Sequence, residues 1–196
     1  MVLKMGLPIL LSMAIMINAP TEMMQEKKEV QKDTQTQSER TIEKKKVKTK
    51  YKRTLNLPTD KDTSFKAYMD FRTITDVNSE QYRMQTTAYT SENGVRMIGD
   101  SYCAAIGTGY EGKLGDEFEV TLSTGAEFKI ILADIKADAH TDATNRYTEM
   151  SGDRANVIEF IVQDECLPSI VTTMGNLDHM PGDIFSGDIV SMREVL

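Results

Sequence analysis

The chain has 196 residues, of which 40% are hydrophobic and 27% charged, with a formal net charge of −7 at pH 7. The charge is divided unevenly: residues 21–66 carry 13 Lys/Arg against 8 Asp/Glu, and residues 67–196 carry 9 against 22. A length of this order holds one ordinary domain plus an extension, and a domain so acidic repels phosphate backbones and anionic membrane, which sets nucleic-acid binding aside for residues 67–196.

Residues 1–20, MVLKMGLPILLSMAIMINAP, hold one Lys and then an apolar run from Met5 to Ile17. The run is shorter than the roughly 17–25 residues of a transmembrane helix and suits the hydrophobic region of a secretory signal. Ala19 is the candidate last residue removed, although Ile17 stands where a small side chain is preferred and Pro20 would follow the cut. An uncleaved anchor that contacts the membrane, and a hydrophobic cap on a soluble protein, stay open beside the signal reading. Lys27, Lys28 and Lys32 follow closely, and Lys-rich flanks favour the cytoplasmic side. Residues 21–64 are rich in Glu, Lys, Gln and Thr, bury too little apolar surface to fold alone, and are expected to form a disordered charged linker with transient helix. The folded domain is expected over residues 65–196.

Phe65, Ala67, Met69 and Phe71 alternate with polar residues, as a strand requires, while Tyr68 and Met69 also fit a short helix. Ser79-Glu80-Gln81 is a candidate helix start, and Met84 to Tyr89 reads as extended. Ser91-Glu92-Asn93-Gly94 is a turn signal, since Asn-Gly tolerates positive φ. Val95 to Ile98 and Tyr102 to Ile106 read as short strands, and Gly107, Gly109 and Gly112 loosen the chain after them. Lys113 to Asp134, KLGDEFEVTLSTGAEFKIILAD, is the most informative stretch. Phe118, Val120 and Leu122 alternate with Glu117, Glu119 and Thr121, the period of a strand with one buried face. Ser123-Thr124-Gly125 supplies a hairpin loop. The return strand puts Phe128, Ile130 and Leu132 on one face and becomes apolar on both faces past Lys129, as a central strand does. Asp134 shares the parity of Phe128, Ile130 and Leu132. Either its carboxyl leaves on the apolar face, where desolvation raises its pKa, or it ends the strand facing water. An acidic loop follows. Asn156 to Val162 reads as a buried strand, Glu165 to Met174 as a helix with Pro168 in its first turn and Gly175 at its end, and Ile189 to Val195 as the closing strand. Many short strands with one or two short helices make the fold class mainly β, or β-rich α+β.

Within the acidic loop, Asp134, Asp138, His140, Asp142 and Asn145 are spaced D-x3-D-x-H-x-D-x2-N. Oxygen ligands at such spacing suit a hard cation, but the glycine and terminal Glu of an EF-hand are absent, and a solvated loop with local Asx turns is the plainer reading. His140 is the one residue here suited to sharing a proton with an acid in a cleft. Cys103 and Cys166 either pair outside the cell or remain buried free thiols. No zinc spacing, phosphate-binding glycine loop or G-x-S-x-G elbow is present, and Leu122-Ser123-Thr124-Gly125 has Ser where an aspartic protease needs Asp. No cofactor is expected.

The hairpin Lys113–Asp134 resembles the double-psi β-barrel of the rare lipoprotein A and three-aspartate cell-wall families. Leu114, Gly115, Val120, Gly125 and Asp134 occupy the places of the family's glycine-containing entry, V-x-V-type strand, loop glycine and strand-ending Asp. Ile158-Glu159 is the nearest match to a second, isoleucine–aspartate signature. The sequence departs from the pattern in having Glu159 for Asp, Ile135-Lys136 after Asp134 where a Gly-containing turn is common, and a long stretch between the two acids. The domain also looks similar to uncharacterised proteins of Gram-positive bacteria and their phages. The resemblance implies a small six-stranded double-psi β-barrel on a tether, exported or membrane-anchored and facing the cell wall. It implies lytic transglycosylation of peptidoglycan glycan strands, with Asp134 as the acid, Glu159 raising its pKa by repulsion, and His140 in support. The plainer alternative is that Glu159 faces solvent or pairs with Arg154 or Arg146. The alternative function is a non-catalytic module that binds glycan or a protein.

Overall fold

A computed structural model describes residues 49–196, which form one unit. The expected leader and residues 21–48 of the expected linker lie outside the described residues. The remainder of that linker is structured: β1 (Tyr51–Thr54) pairs antiparallel with the last strand, β11 (Ile189–Val195), and the buried Glu194 accepts from Lys52 Nζ at 2.5 Å and Arg53 Nε at 2.6 Å. The unit therefore starts well before Phe65. Its charged edge reads as linker because only Leu55 is buried in this stretch before Thr63.

The fold is mainly β. Along the main sheet the strands run β1, β11, β6 (Glu117–Leu122), β7 (Glu127–Lys136), β5 (Ser101–Gly107), β10 (Glu159–Val162) and β2 (Ala67–Asp70). A short arm of β3 (Tyr89–Thr90) and β4 (Arg96–Ile98) joins β5, making nine strands in all, and β8 (Thr148–Glu149) with β9 (Ala155–Asn156) forms a separate pair. The sheet is mixed: β5 runs parallel to β7 and β2 to β10, and the other pairs are antiparallel. It is larger than the six-stranded barrel expected, and its chain of pairings ends at β1 and β2. Among the described residues no helix is long and apolar enough to cross a membrane.

The hairpin follows its sequence pattern. Phe118, Val120 and Leu122 are buried, and Gly125 takes φ +86° in the turn, where its N–H donates to Leu122 O. Strand β7 is central, lying between β6 and β5. Its Ile130 and Leu132 join Ala104, Ile106, Phe160, Val162 and Met192 in the main core. Tyr102, Phe128, Phe160 and Phe185 meet there in mutual edge and tilted contacts, with centroids 4.7–6.3 Å apart, the geometry aromatic quadrupoles prefer. The other face of β5, β7 and β10 buries Cys103, Ile131, Ala133 and Ile161 against Met69, Phe71, Ile74, Met84, Ala88 and Ile98.

That second face is covered by helix α1 (Glu80–Thr87), so the extended reading of Met84 to Thr87 is corrected. Ser79 caps it, its Oγ accepting from Tyr82 N at 3.1 Å. Buried Arg96 donates to the carbonyls of Gln85 and Ala88, each at 2.7 Å, and lies 4.5 Å from the Phe71 ring centroid. It thus satisfies carbonyls at the end of the helix and fastens it to β4. The segment read as one strand, Asn156–Val162, divides into β9 and β10. The C-terminal helix α2 is shorter than expected, Ser169–Met174, with Gly175 left-handed after it. Cys103 is buried and Cys166 exposed, and both are free thiols.

Among the described residues two lysines are buried. Lys66 Nζ donates to Ser64 O (2.8 Å) and Gly187 O (2.7 Å), tying the entry to β2 to the loop before β11. Lys136 Nζ donates to Asn156 O at 2.7 Å. Burial lowers both to about 8. A lysine with a lowered folded pKa binds its proton more weakly in the folded than in the unfolded state, so stability rises with pH from about 8 towards the ordinary lysine value near 10.4. Cys103, which burial raises to about 11, opposes this above about pH 9. Denaturant unfolding is expected to show stability increasing between pH 8 and 9 by about 0.5–2 kcal/mol, with a smaller slope in Lys66→Met. A flat profile there, or an unchanged slope in the variant, contradicts the burial of these amines.

Candidate functional site

The pairing of β7 with β5 contains an extra residue. Ala104 lies opposite Leu132, but Ala105 lies opposite Asp134, leaving Ala133 unmatched. Such a bulge breaks the two-residue alternation of a strand. Leu132 and Ile135 both pack with the main core, while Ala133 lies in the second cluster and Asp134 borders it. The expectation from parity, with Asp134 leaving on the face of Phe128, Ile130 and Leu132, is therefore corrected: the bulge turns it to the opposite face.

There Asp134 lines a depression of about 350 Å³ with Met69, Thr73, Ile74, Thr75, Asp76, Ser79 and Gln81. The side chain is half-buried. Burial raises its carboxyl above the usual aspartate range, against the hydrogen bond from Ile135 N (2.8 Å) and the nearby Gln81 amide, which favour the ionised form. Gln81 is a site residue that the sequence reading missed. The signal was present in Ser79 as an N-cap before a run of good helix formers, but the apolar and aromatic residues through Tyr89 also fitted a strand.

Glu159 shares this face. It is paired with Ala105, which is itself paired with Asp134, so the two acids flank a small residue two strands apart, about 9–10 Å between Cα atoms at ordinary strand spacing. Glu159 does not line the depression. Its charge acts on Lys136, raising that amine against the effect of burial, and it is not among the influences on Asp134. The expected repulsion between the acids is thus absent, and among the described residues Glu159 forms no ion pair with Lys136 either. Neither Arg154 nor Arg146 forms an ion pair with it among the described residues: Arg154 bonds Ser151 and stacks near Phe65, and Arg146 bonds Asn56 O and Thr144.

His140 is exposed in a short 3-10 turn, Asp138–His140, and is not part of the depression. The acidic side chains of the loop organise the loop itself. Asp138 accepts from Thr108 Oγ1 at 2.5 Å. Asp142 accepts from the backbone N–H groups of Thr144 and Arg146, both at 2.8 Å, and of Tyr147 at 3.1 Å. Burial would raise the Asp142 carboxyl, but the Thr144 hydroxyl, which also donates to it, and these backbone bonds hold it down at about 2. This is the Asx-turn arrangement. Among the described residues no three His, Cys, Asp or Glu side chains gather as a metal would need.

Because the folded state raises the Asp134 pKa, ionising this group costs stability above the ordinary aspartate value and costs nothing below it. Asp134→Asn is expected to melt at a higher temperature than the wild type at pH 7, with the gain vanishing below about pH 4. A variant that is less stable at pH 7, or a gain that persists at pH 3, contradicts the raised pKa.

Comparison of the chain with protein-family models, with curated proteins and with solved structures yields no match.

Proposed function

We propose that residues 49–196 are a double-psi-type β module of an exported or membrane-tethered, cell-wall-associated protein, and that Asp134 serves it as the single acid of a peptidoglycan lytic transglycosylase. The observation that carries this reading is a half-buried carboxyl, biased towards its protonated form, opening on a surface depression. Met69 and Ile74 give that depression apolar surface, and Thr73, Thr75, Ser79 and Gln81 give it hydroxyl and amide groups. Sugar rings present the complementary combination of apolar faces and hydroxyl edges. The cell-wall assignment rests on the resemblance of Lys113–Asp134 to the cell-wall families. The position of β7 between β5 and β6, two strands consecutive in the chain, supports the psi-type reading of the fold.

In this mechanism protonated Asp134 gives its proton to the glycosidic oxygen as the bond from that oxygen to the anomeric carbon breaks. The resulting carboxylate accepts the proton of the same sugar's 6-hydroxyl, whose oxygen bonds to the anomeric carbon and closes an anhydro ring. One carboxyl performs both transfers, so the paired carboxyls of a hydrolase at defined separation are not needed, and Glu159 has no required part.

A second reading, a module that binds glycan without cleaving it, is favoured by one observation: no second carboxylate raises Asp134, and the Ile135 N–H and the Gln81 amide favour its charge. Incubation of the full chain with purified peptidoglycan, with mass spectrometry of the soluble products, separates the two. Anhydro-sugar ends from the wild type, reduced on the order of a hundredfold or more in Asp134→Asn, are expected. Wild-type protein that sediments with peptidoglycan yet releases no such ends supports the second reading, and equal yields from both proteins exclude Asp134 as the acid.

A further inference from the structure

A second cavity, of about 500 Å³, lies elsewhere in the unit, with walls from β1 and the residues after it (Arg53 to Asn56), from Gly109–Glu111, and from Thr144 and Arg146. None of these residues lines the Asp134 depression. Its construction begins with two glycines read in the sequence only as loosening the chain. A Cβ on Gly107 would stand 2.1 Å from Asn145 O, and one on Gly109 2.1 Å from Thr144 O. Only glycine lets the 144–146 backbone lie this close, and Gly109 N–H donates to Asn145 O at 2.8 Å.

Two arginines reach this cavity from different walls, each held in place. Arg53 donates Nε to Glu194 (2.6 Å) and Nη2 to Tyr110 O (2.7 Å). Arg146 donates Nε to Thr144 Oγ1 (2.8 Å) and Nη1 to Asn56 O (2.9 Å). A guanidinium has five N–H donors, so each commits two and keeps three. Among the described residues Arg146 has no carboxylate within ion-pair distance of its side chain. Asp142, which does not line the cavity, accepts from backbone N–H groups of its own loop, that of Arg146 among them, and Glu111 is an exposed acid of the lining.

Tyr110, whose backbone carbonyl holds Arg53, packs in the main core with its hydroxyl closed off from the cavity. Fixed guanidinium forks with uncommitted donors match the geometry of carboxylate and phosphate.

We propose that this cavity is an oxyanion-binding site in which Arg53 and Arg146 grip a carboxylate or phosphate. The site is separate from Asp134 and does not depend on the glycan reading.

Amide NMR titrations of the full chain with inorganic phosphate and with N-acetylalanine test it and distinguish the two sources. One of these probes is expected to shift the resonances of residues 53–56, 109–111 and 144–146 saturably. Arg146→Gln is expected to weaken that binding at least about tenfold, the loss of a charge-assisted contact. Arg53→Gln is expected to weaken it to a similar extent. Absence of saturable shifts with both probes overturns the proposal, as does unchanged affinity in either variant.

Discussion

A single unmatched residue in a central strand governs the arrangement of this domain. Without Ala133 as an extra residue in β7, the carboxyl of Asp134 would follow Leu132 into the main core, among Phe118, Phe160 and their neighbours. An unpaired carboxylate there has no means of recovering its hydration and is very costly. The bulge sends Asp134 to the thinner face, returns Ile135 to the core, and puts Lys136 on the same side as Asp134, where its amine finds Asn156 O and the charge of Glu159. Three consecutive side chains thus owe their environments to one register shift.

The second face is suited to holding an acid that titrates unusually. Its cover is one eight-residue helix and the segment around Phe71–Ile74, packed over Cys103, Ile131, Ala133 and Ile161. This is enough apolar material to withdraw Asp134 partly from water and too little to seal it. The main core on the other side, anchored by four mutually packed aromatic rings, holds β5 and β7 in place. Arg96 fixes the helix through its terminal carbonyls, so Gln81 in its first turn stays beside Asp134. Positioning of a reactive group by rigid surroundings is a requirement for chemistry as well as for selective binding.

Much of the sheet was legible in the sequence because two-residue alternation is a direct consequence of burying one face. The hairpin of β6 and β7, the central place of β7, the Asn93-Gly94 turn and the closing strand Ile189–Val195 all follow from pattern and turn chemistry. What was not legible is what depends on partners distant in the chain. The bulge is invisible because Leu132, Ala133 and Asp134 alternate no differently from a regular strand, and only the pairing with β5 reveals the extra residue. Strand β1 was hidden by its charges, which are neutralised by Glu194 at the far end of the chain. His140 and Glu159 were grouped with Asp134 through spacing and resemblance. The fold leaves the first exposed on a loop and keeps the second out of the depression. Gly107 and Gly109 read as slack, whereas they are points of close backbone approach.

The account depends on a carboxyl at position 134 that is half withdrawn from water on the outer face of a bulged strand. Carbon-13 NMR titration of the Asp134 side-chain carboxyl measures this directly. The account predicts a midpoint clearly above the ordinary aspartate value of about 3.9. A midpoint at or below that value would mean that hydrogen bonds or solvent, rather than burial, dominate the group, and would contradict it.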